Sequence, residues 1–142
     1  SQIWAFDPGT LTGVAVWDTD VCGIIMADQF TVEDLYGVVD AACFNEITAA
    51  QIERFTISAA TLRKSRVDDP LDVIGYLKYA AWRCGFPYKF SMPADVMASF
   101  PDKVLKRAKM YTVGKPHTND AARHLARRLV MDRLIDPTIF LA

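Results

Sequence analysis

The first thirty residues constrain the fold most. Three runs rich in Val, Ile, Trp and Phe, at about 2–7, 12–18 and 21–30, are separated by Pro8-Gly9 and by Asp18-Thr19-Asp20. Connections that short join strands lying side by side in opposite directions, which predicts an antiparallel meander. The pattern then alternates. A helical stretch at about 32–44 precedes a strand at 48–55, and a polar loop follows through Arg63, Lys64, Ser65 and Arg66. Asp69-Pro70 offers an N-cap and a first-turn proline to a helix in which Leu71, Ile74, Leu77, Ala81 and Cys84 repeat at helical spacing until Gly85 stops it. A short strand near 88–91 and helices at about 94–110 and 117–134 complete the chain. Three antiparallel strands followed by alternating helix and strand predict an α/β mixed sheet flanked by helices.

With 142 residues, 51% of them hydrophobic, the chain can bury a core within one domain spanning 1–142. No apolar run approaches the roughly 20 residues of a membrane span, and the start of the sequence lacks a signal peptide's basic and apolar segments, so the expectation is a soluble intracellular protein. Cys22, Cys43 and Cys84 are odd in number and far apart, without metal-type spacing, and are expected to be reduced thiols in or near the core. There is no internal repeat or low-complexity segment.

The net charge of −1 conceals a polarised chain: residues 1–53 carry −9 with no Lys or Arg, and residues 54–142 carry +8. This asymmetry suggests an acidic, metal-binding part beside a basic surface for a polyanion. The densest basic stretch comprises Lys103, Lys106, Arg107, Lys109, Lys115, Arg123, Arg127 and Arg128. Solvated helix faces would give the same composition, but the clustering beside Asp120 points to nucleic acid.

Three acidic residues occupy distinct settings. Asp7 ends the apolar strand Ile3-Trp4-Ala5-Phe6-Asp7, Glu53 stands at the end of Ala49-Ala50-Gln51-Ile52-Glu53, and Asp120 opens the last helix. Carboxylates so placed can converge at one edge of a sheet and hold a divalent cation. Read at about 100° per residue, the last helix packs on the sheet through Ala122, Leu125, Ala126, Leu129 and Val130, while His117, Asp120, His124 and Arg127 form a ridge on the other side. Asp120 could also serve simply as a dipole partner in a first turn, and His117 could lie in a solvated loop.

The order Asp7-Pro8-Gly9 with Thr12-Gly13 after it, then Ile52-Glu53, then His117-x-x-Asp120-Ala121-Ala122, resembles the RuvC family of Holliday junction resolvases, in particular the small RuvC-like resolvases of bacteriophages. The resemblance covers nearly the whole chain, including the helix at 70–85 and Pro93-Ala94-Asp95-Val96. It implies an RNase H-like fold with a mixed five-stranded sheet, three strands antiparallel and two parallel. It also implies a homodimer that cuts a four-way DNA junction with paired symmetric nicks, using Mg²⁺ or Mn²⁺, in the cytoplasm of a bacterial or phage-infected cell. Asp7, Glu53, His117 and Asp120 would be both catalytic residues and metal ligands, with Asp7 bridging two ions.

Hard, oxygen-seeking Mg²⁺ suits such an acidic set, and two ions about 4 Å apart would activate water and stabilise the departing oxygen. DNA contacts are expected from Phe55, Arg63, Lys64, Arg66, Lys103, Lys106, Arg107, Lys115 and Arg127. The family's wedge aromatic follows the strand-four glutamate, whereas Phe55 falls one position early and reads better as strand core. Met97 stands where many relatives are basic. Gly37 and Gly75 would permit close helix approach, within the domain or between two copies. Other readings are an RNase H-like nuclease of forks, flaps or RNA-containing duplexes, and a catalytically silent branched-DNA-binding module. A third, an actin-like or sugar-kinase nucleotide site, would need a second such domain.

Overall fold

The computed structural model describes residues 1–60 and 67–141. Strands β1 (Gln2–Asp7), β2 (Leu11–Asp18) and β3 (Gly23–Thr31) form the expected meander, and β4 (Ile47–Glu53) and β5 (Tyr88–Ser91) extend the sheet from the other side of β1. The order is β3-β2-β1-β4-β5. β1 pairs antiparallel with β2 and parallel with β4, and β4 pairs parallel with β5. The carboxyl ends of β1, β4 and β5 therefore lie at one edge of the sheet, beside the first residues of β2: Asp7 is the register partner of Gly13, and Glu53 that of Ser91.

Strand alternation divides the core into two layers. Trp4, Phe6, Val14, Val16, Ala50 and Ile52 pack with helices α1 (Val32–Ala42) and α2 (Asp68–Cys84). Ile3, Ala5, Ala15 and Trp17 point the other way, against α5 (Pro116–Met131) and the short helices α3 (Ala94–Met97) and α4 (Asp102–Arg107). The same alternation assigns Asp7, Gly13, Gln51, Glu53 and Ser91 to the α5 face. Small side chains on both partners, Ala5 and Ala15 below and Ala121, Ala122 and Ala126 above, let α5 lie close to the sheet. Gly13 leaves room for the backbone of α5, since a Cβ there would sit 1.9 Å from the His117 carbonyl oxygen.

Several boundaries differ from the sequence expectation. The predicted helix at 94–110 is two pieces: the first ends at Met97, and Pro101, extended at ψ 168° and without an N–H to give, stands as the N-cap from which the second starts. The last helix ends at Met131 rather than 134, with Arg133 in a left-handed conformation (φ 56°). α2 begins at Asp68, one residue before the expected cap, and its N-cap Val67 makes no side-chain hydrogen bond; Gly85 does end it, at φ 79°. The predicted N-terminus of α1 gains a cap from Thr31, whose Oγ1 accepts from the Asp34 N–H at 3.3 Å.

The cysteines also differ. Cys43 and Cys84 are not separate thiols but form a disulfide, with Cα atoms 5.7 Å apart, and only Cys22 remains free. The bond ties the C-terminal ends of α1 and α2, which meet on the same sheet face. Gly37 and Gly75 have open space where a Cβ would lie, so neither serves a close approach within the domain. Among the described residues no helix is long and apolar enough to cross a membrane.

Candidate active site

The carboxyl edge of the sheet gathers the acids predicted from sequence. Asp7 is 8% exposed at the end of β1, and its Oδ2 lies 3.0 Å from His117 Nδ1 at the start of α5. One ligand atom from each of Asp7, His117 and Asp120 falls within 4.8 Å of the others, a spacing that a single cation can span. Glu53, at the end of β4, lines a cavity of ≈ 290 Å³ together with Asp7, Pro8, Phe55, Met92 and Pro93. Its carboxylate is held by His124, Nε2 to Oε2 3.0 Å, and stands beside the cluster of three rather than inside it.

The electrostatics are those of crowded acids that Arg123 and His117 offset only in part. Burial pushes the Asp7 carboxyl up to about 6; the hydrogen bond from His117 opposes this, and the charges of Glu53 and Asp120 add to it. Asp120 is also raised, first by burial and then by Glu53, with Arg123 and His117 pulling the other way. His117 is raised mainly by its hydrogen bond to Asp7, against burial. A divalent cation would relieve all three perturbations, and carboxylate oxygens are the donors that Mg²⁺ and Mn²⁺ prefer.

The surrounding contacts hold α5 in place. The His117 N–H donates to Gln29 Oε1 on β3 at 2.9 Å, and Lys115 Nζ donates to Asp28 at 2.5 Å. Asn119 grips Thr112 twice, accepting from its N–H at 2.8 Å and donating to its carbonyl at 2.9 Å. Thr12, fully buried, bonds with Gly9 at 3.3 Å through both the glycine N–H and carbonyl, fixing the turn after Asp7. Arg123 is buried: Nη1 donates to Asp120 at 2.8 Å, Nε to the Phe100 carbonyl at 2.8 Å, and Nη2 to Asp102.

Two sequence expectations about α5 are therefore corrected. His124 does not belong to an outward ridge with His117 and Asp120 but is 1% exposed, against the sheet. Arg123 is not part of a solvated basic face. The helix is covered on the sheet side and again by α3 and α4, so its buried arc extends well past the apolar residues, and Asn119, Arg123 and His124 enter it because each finds polar partners.

The expected DNA-contacting residues are dispersed. Phe55 lies beyond the end of β4, half-exposed at the cavity, not in the strand core. Lys106 sits over the Tyr111 ring at 4.6 Å, and that ring lines a groove with Met97, Lys115 and Asp120. Lys103 is exposed on α4 and Arg127 half-buried on α5. Arg107 instead lines a cavity with Trp17 and Cys22, at the far ends of β1 and β2 from Asp7, which removes it from the site. Arg63, Lys64 and Arg66 lie outside the described residues.

No protein-family model matches the sequence, and no curated protein matches it. Solved structures do. Thermus thermophilus RuvC in complex with a Holliday junction substrate superposes with a TM-score of 0.74 at 14% identity, over 94% of this chain and 95% of that one. The chain has the RuvC fold. A second structure of Thermus thermophilus RuvC gives a TM-score of 0.66 at 13% identity, covering 94% and 98% of the two chains. Fowlpox virus resolvase, in complex with its substrate Holliday junction DNA, gives 0.55 at 12% identity, covering 88% and 97%. In this RuvC fold, the residues whose steering of the acids sequence reasoning missed are Gln29, Gln51, Ser91, Arg123 and His124. None belongs to a motif, and each is defined only by what it meets across the fold.

Proposed function

We propose that this protein is a metal-dependent endonuclease that resolves four-way DNA junctions by paired symmetric nicks. The observation that carries the reading is the convergence of Asp7, His117 and Asp120, with Glu53 beside them, at the carboxyl edge of a RuvC fold. Asp7, Glu53, His117 and Asp120 would hold Mg²⁺ or Mn²⁺. When bound, such ions supply an activated water and charge stabilisation for the departing oxygen of the phosphodiester.

The chain's own residues have separable tasks. Asp7 is anchored by the central strand and oriented by His117. Arg123 fixes the Asp120 carboxylate and draws off part of its charge. Phe55 stands at the cavity mouth, where an unstacked base or sugar would pass. Lys103, Lys106 and Arg127 are the phosphate contacts we assign among the described residues, and Arg63, Lys64 and Arg66 are proposed as further contacts from the sequence alone. Lys115 is committed to Asp28 and contributes less.

Two symmetric cuts need two active sites, which favours a homodimer. α2 offers a face for a second copy: Leu71, Tyr79 and Trp82 are exposed along it, Trp82 at 78%, around the unfilled space at Gly75.

The test is cleavage of a four-way junction, a fork, a flap, a linear duplex and an RNA–DNA hybrid by the wild-type protein and Asp7→Asn, with Mg²⁺, Mn²⁺ or chelator. Symmetric nicks on the junction, absent in the variant and in chelator, support the reading. Preference for forks, flaps or the hybrid would replace it with a broader RNase H-like nuclease. Junction binding without cleavage in any metal would leave a binding module.

A further inference from the structure

The floor of the site contains a continuous buried polar chain that the metal-site assignment does not use. Gln51, Ser91 and His124 are 3%, 5% and 1% exposed, and they come from β4, β5 and α5. Gln51 Nε2 donates to Ser91 Oγ at 2.9 Å, Ser91 Oγ lies 2.5 Å from His124 Nδ1, and His124 Nε2 lies 3.0 Å from Glu53 Oε2. At the other end Arg128 Nη1 donates to Gln51 Oε1 at 3.2 Å.

Donor counting gives this chain a direction. A guanidinium can only donate, so Arg128 fixes the oxygen of the Gln51 amide toward itself and turns the NH₂ to Ser91. Ser91 accepts that bond with a lone pair and has its own O–H left for His124 Nδ1. Nδ1 is then the acceptor nitrogen, and the proton resides on Nε2, aimed at the Glu53 carboxylate. Every member is satisfied, as a polar chain in a core must be.

We propose that His124 is a positioning residue for Glu53, locked as the Nε2–H tautomer by Ser91, Gln51 and Arg128. It holds one oxygen of the Glu53 carboxylate and leaves the other for the reaction site. The inference rests on the assignment of Glu53 as a metal ligand under the proposed function. A histidine serving only as core filler would be replaceable by an apolar side chain among Ala121, Leu125 and the sheet. Here the chain runs outward from fully buried groups to a half-buried carboxylate at the cavity wall, and that endpoint distinguishes the two roles.

The test uses the full chain. In long-range ¹H–¹⁵N spectra of the metal-free protein, His124 should show a protonated Nε2 and an unprotonated Nδ1, and Ser91→Ala should mix the tautomers. A protonated Nδ1 in the wild type would overturn the proposal. His124→Gln can present an N–H to Glu53 and an oxygen to Ser91, so it should keep Mn²⁺ affinity and cleavage kcat within a few-fold of wild type. His124→Leu should lose about 10–100-fold in both, with KM for the junction little changed. If His124→Leu does not fold, Ser91→Ala carries the same test and should lose at least several-fold in Mn²⁺ affinity. Equal Mn²⁺ affinity in folded Gln and Leu variants, or in Ser91→Ala and wild type, sinks the proposal. A wild type that binds Mn²⁺ with this dependence yet cuts no junction refutes the proposed function and leaves His124's role standing. A wild type that cleaves, with His124→Leu cleaving equally well, does the reverse.

Discussion

Replacing Asp7 by Asn should stabilise the metal-free protein while removing its activity. The ionised Asp7 carboxylate is unfavourable in the fold, its pKa pushed from an ordinary 3.8 to about 6 chiefly by burial. At about 1.36 kcal/mol per pH unit, that difference corresponds to about 3 kcal/mol of lost stability once the group is ionised in both folded and unfolded states. The sign follows from the direction of the shift. Below pH 3.8 the carboxyl is protonated in both states and contributes nothing. Between 3.8 and about 6 the unfolded chain ionises more readily than the fold, and above about 6 the full penalty is present. Asn has nearly the shape of the protonated acid and its oxygen can still meet His117, so it escapes the penalty. For a chain of 142 residues the gain corresponds to about 5–10 °C in Tm. Thermal unfolding in chelator at pH 7.5 should show Asp7→Asn above wild type by that amount, and the gap should close as the pH falls toward 4. Added Mg²⁺ should raise the wild type and leave the variant nearly unmoved. An Asn variant no more stable than wild type at pH 7.5 would refute the claim that Asp7 is held ionised at a cost.

Other consequences are as direct. Gly13→Ala places a methyl against the His117 backbone, so α5 must move away from Asp7; we expect a loss of about 1–3 kcal/mol in denaturant unfolding and at least tenfold in cleavage. Because a proton competes with the cation for Asp7, Mn²⁺ affinity by calorimetry should weaken as the pH drops through about 6; an affinity flat from pH 5 to 8 would contradict it. Reducing the Cys43–Cys84 bond, which closes a sequence separation of 41, should cost about 4 kcal/mol on the chain-entropy account; a Cys43→Ser/Cys84→Ser protein should be insensitive to reductant.

The meander and the acids were legible because both depend on local signals. Short turns fix a meander, and a period of two then decides which side Asp7 and Glu53 face. Pro101 was equally visible and marks where α4 starts. What the sequence could not reveal was polar burial. Hydrophobic periodicity located Leu125 and Leu129 correctly but put His124 outside, because the partners that satisfy it, Glu53 and Ser91, lie 71 and 33 residues away. Phe55 read as strand core because an aromatic after an apolar run looks like its continuation, whereas β4 stops at Glu53. The disulfide was hidden for a similar reason: the spacing of Cys43 and Cys84 carries no signal until α1 and α2 are known to share a sheet face.

The most direct test of the central claim is to give the purified protein a supercoiled plasmid extruding a four-way cruciform, in Mg²⁺, and separate nicked circles from linear product. Paired cutting by two active sites predicts linear DNA with both breaks at the cruciform base, and none with Asp7→Asn. Nicked circles alone, or product undiminished in Asp7→Asn, would contradict it.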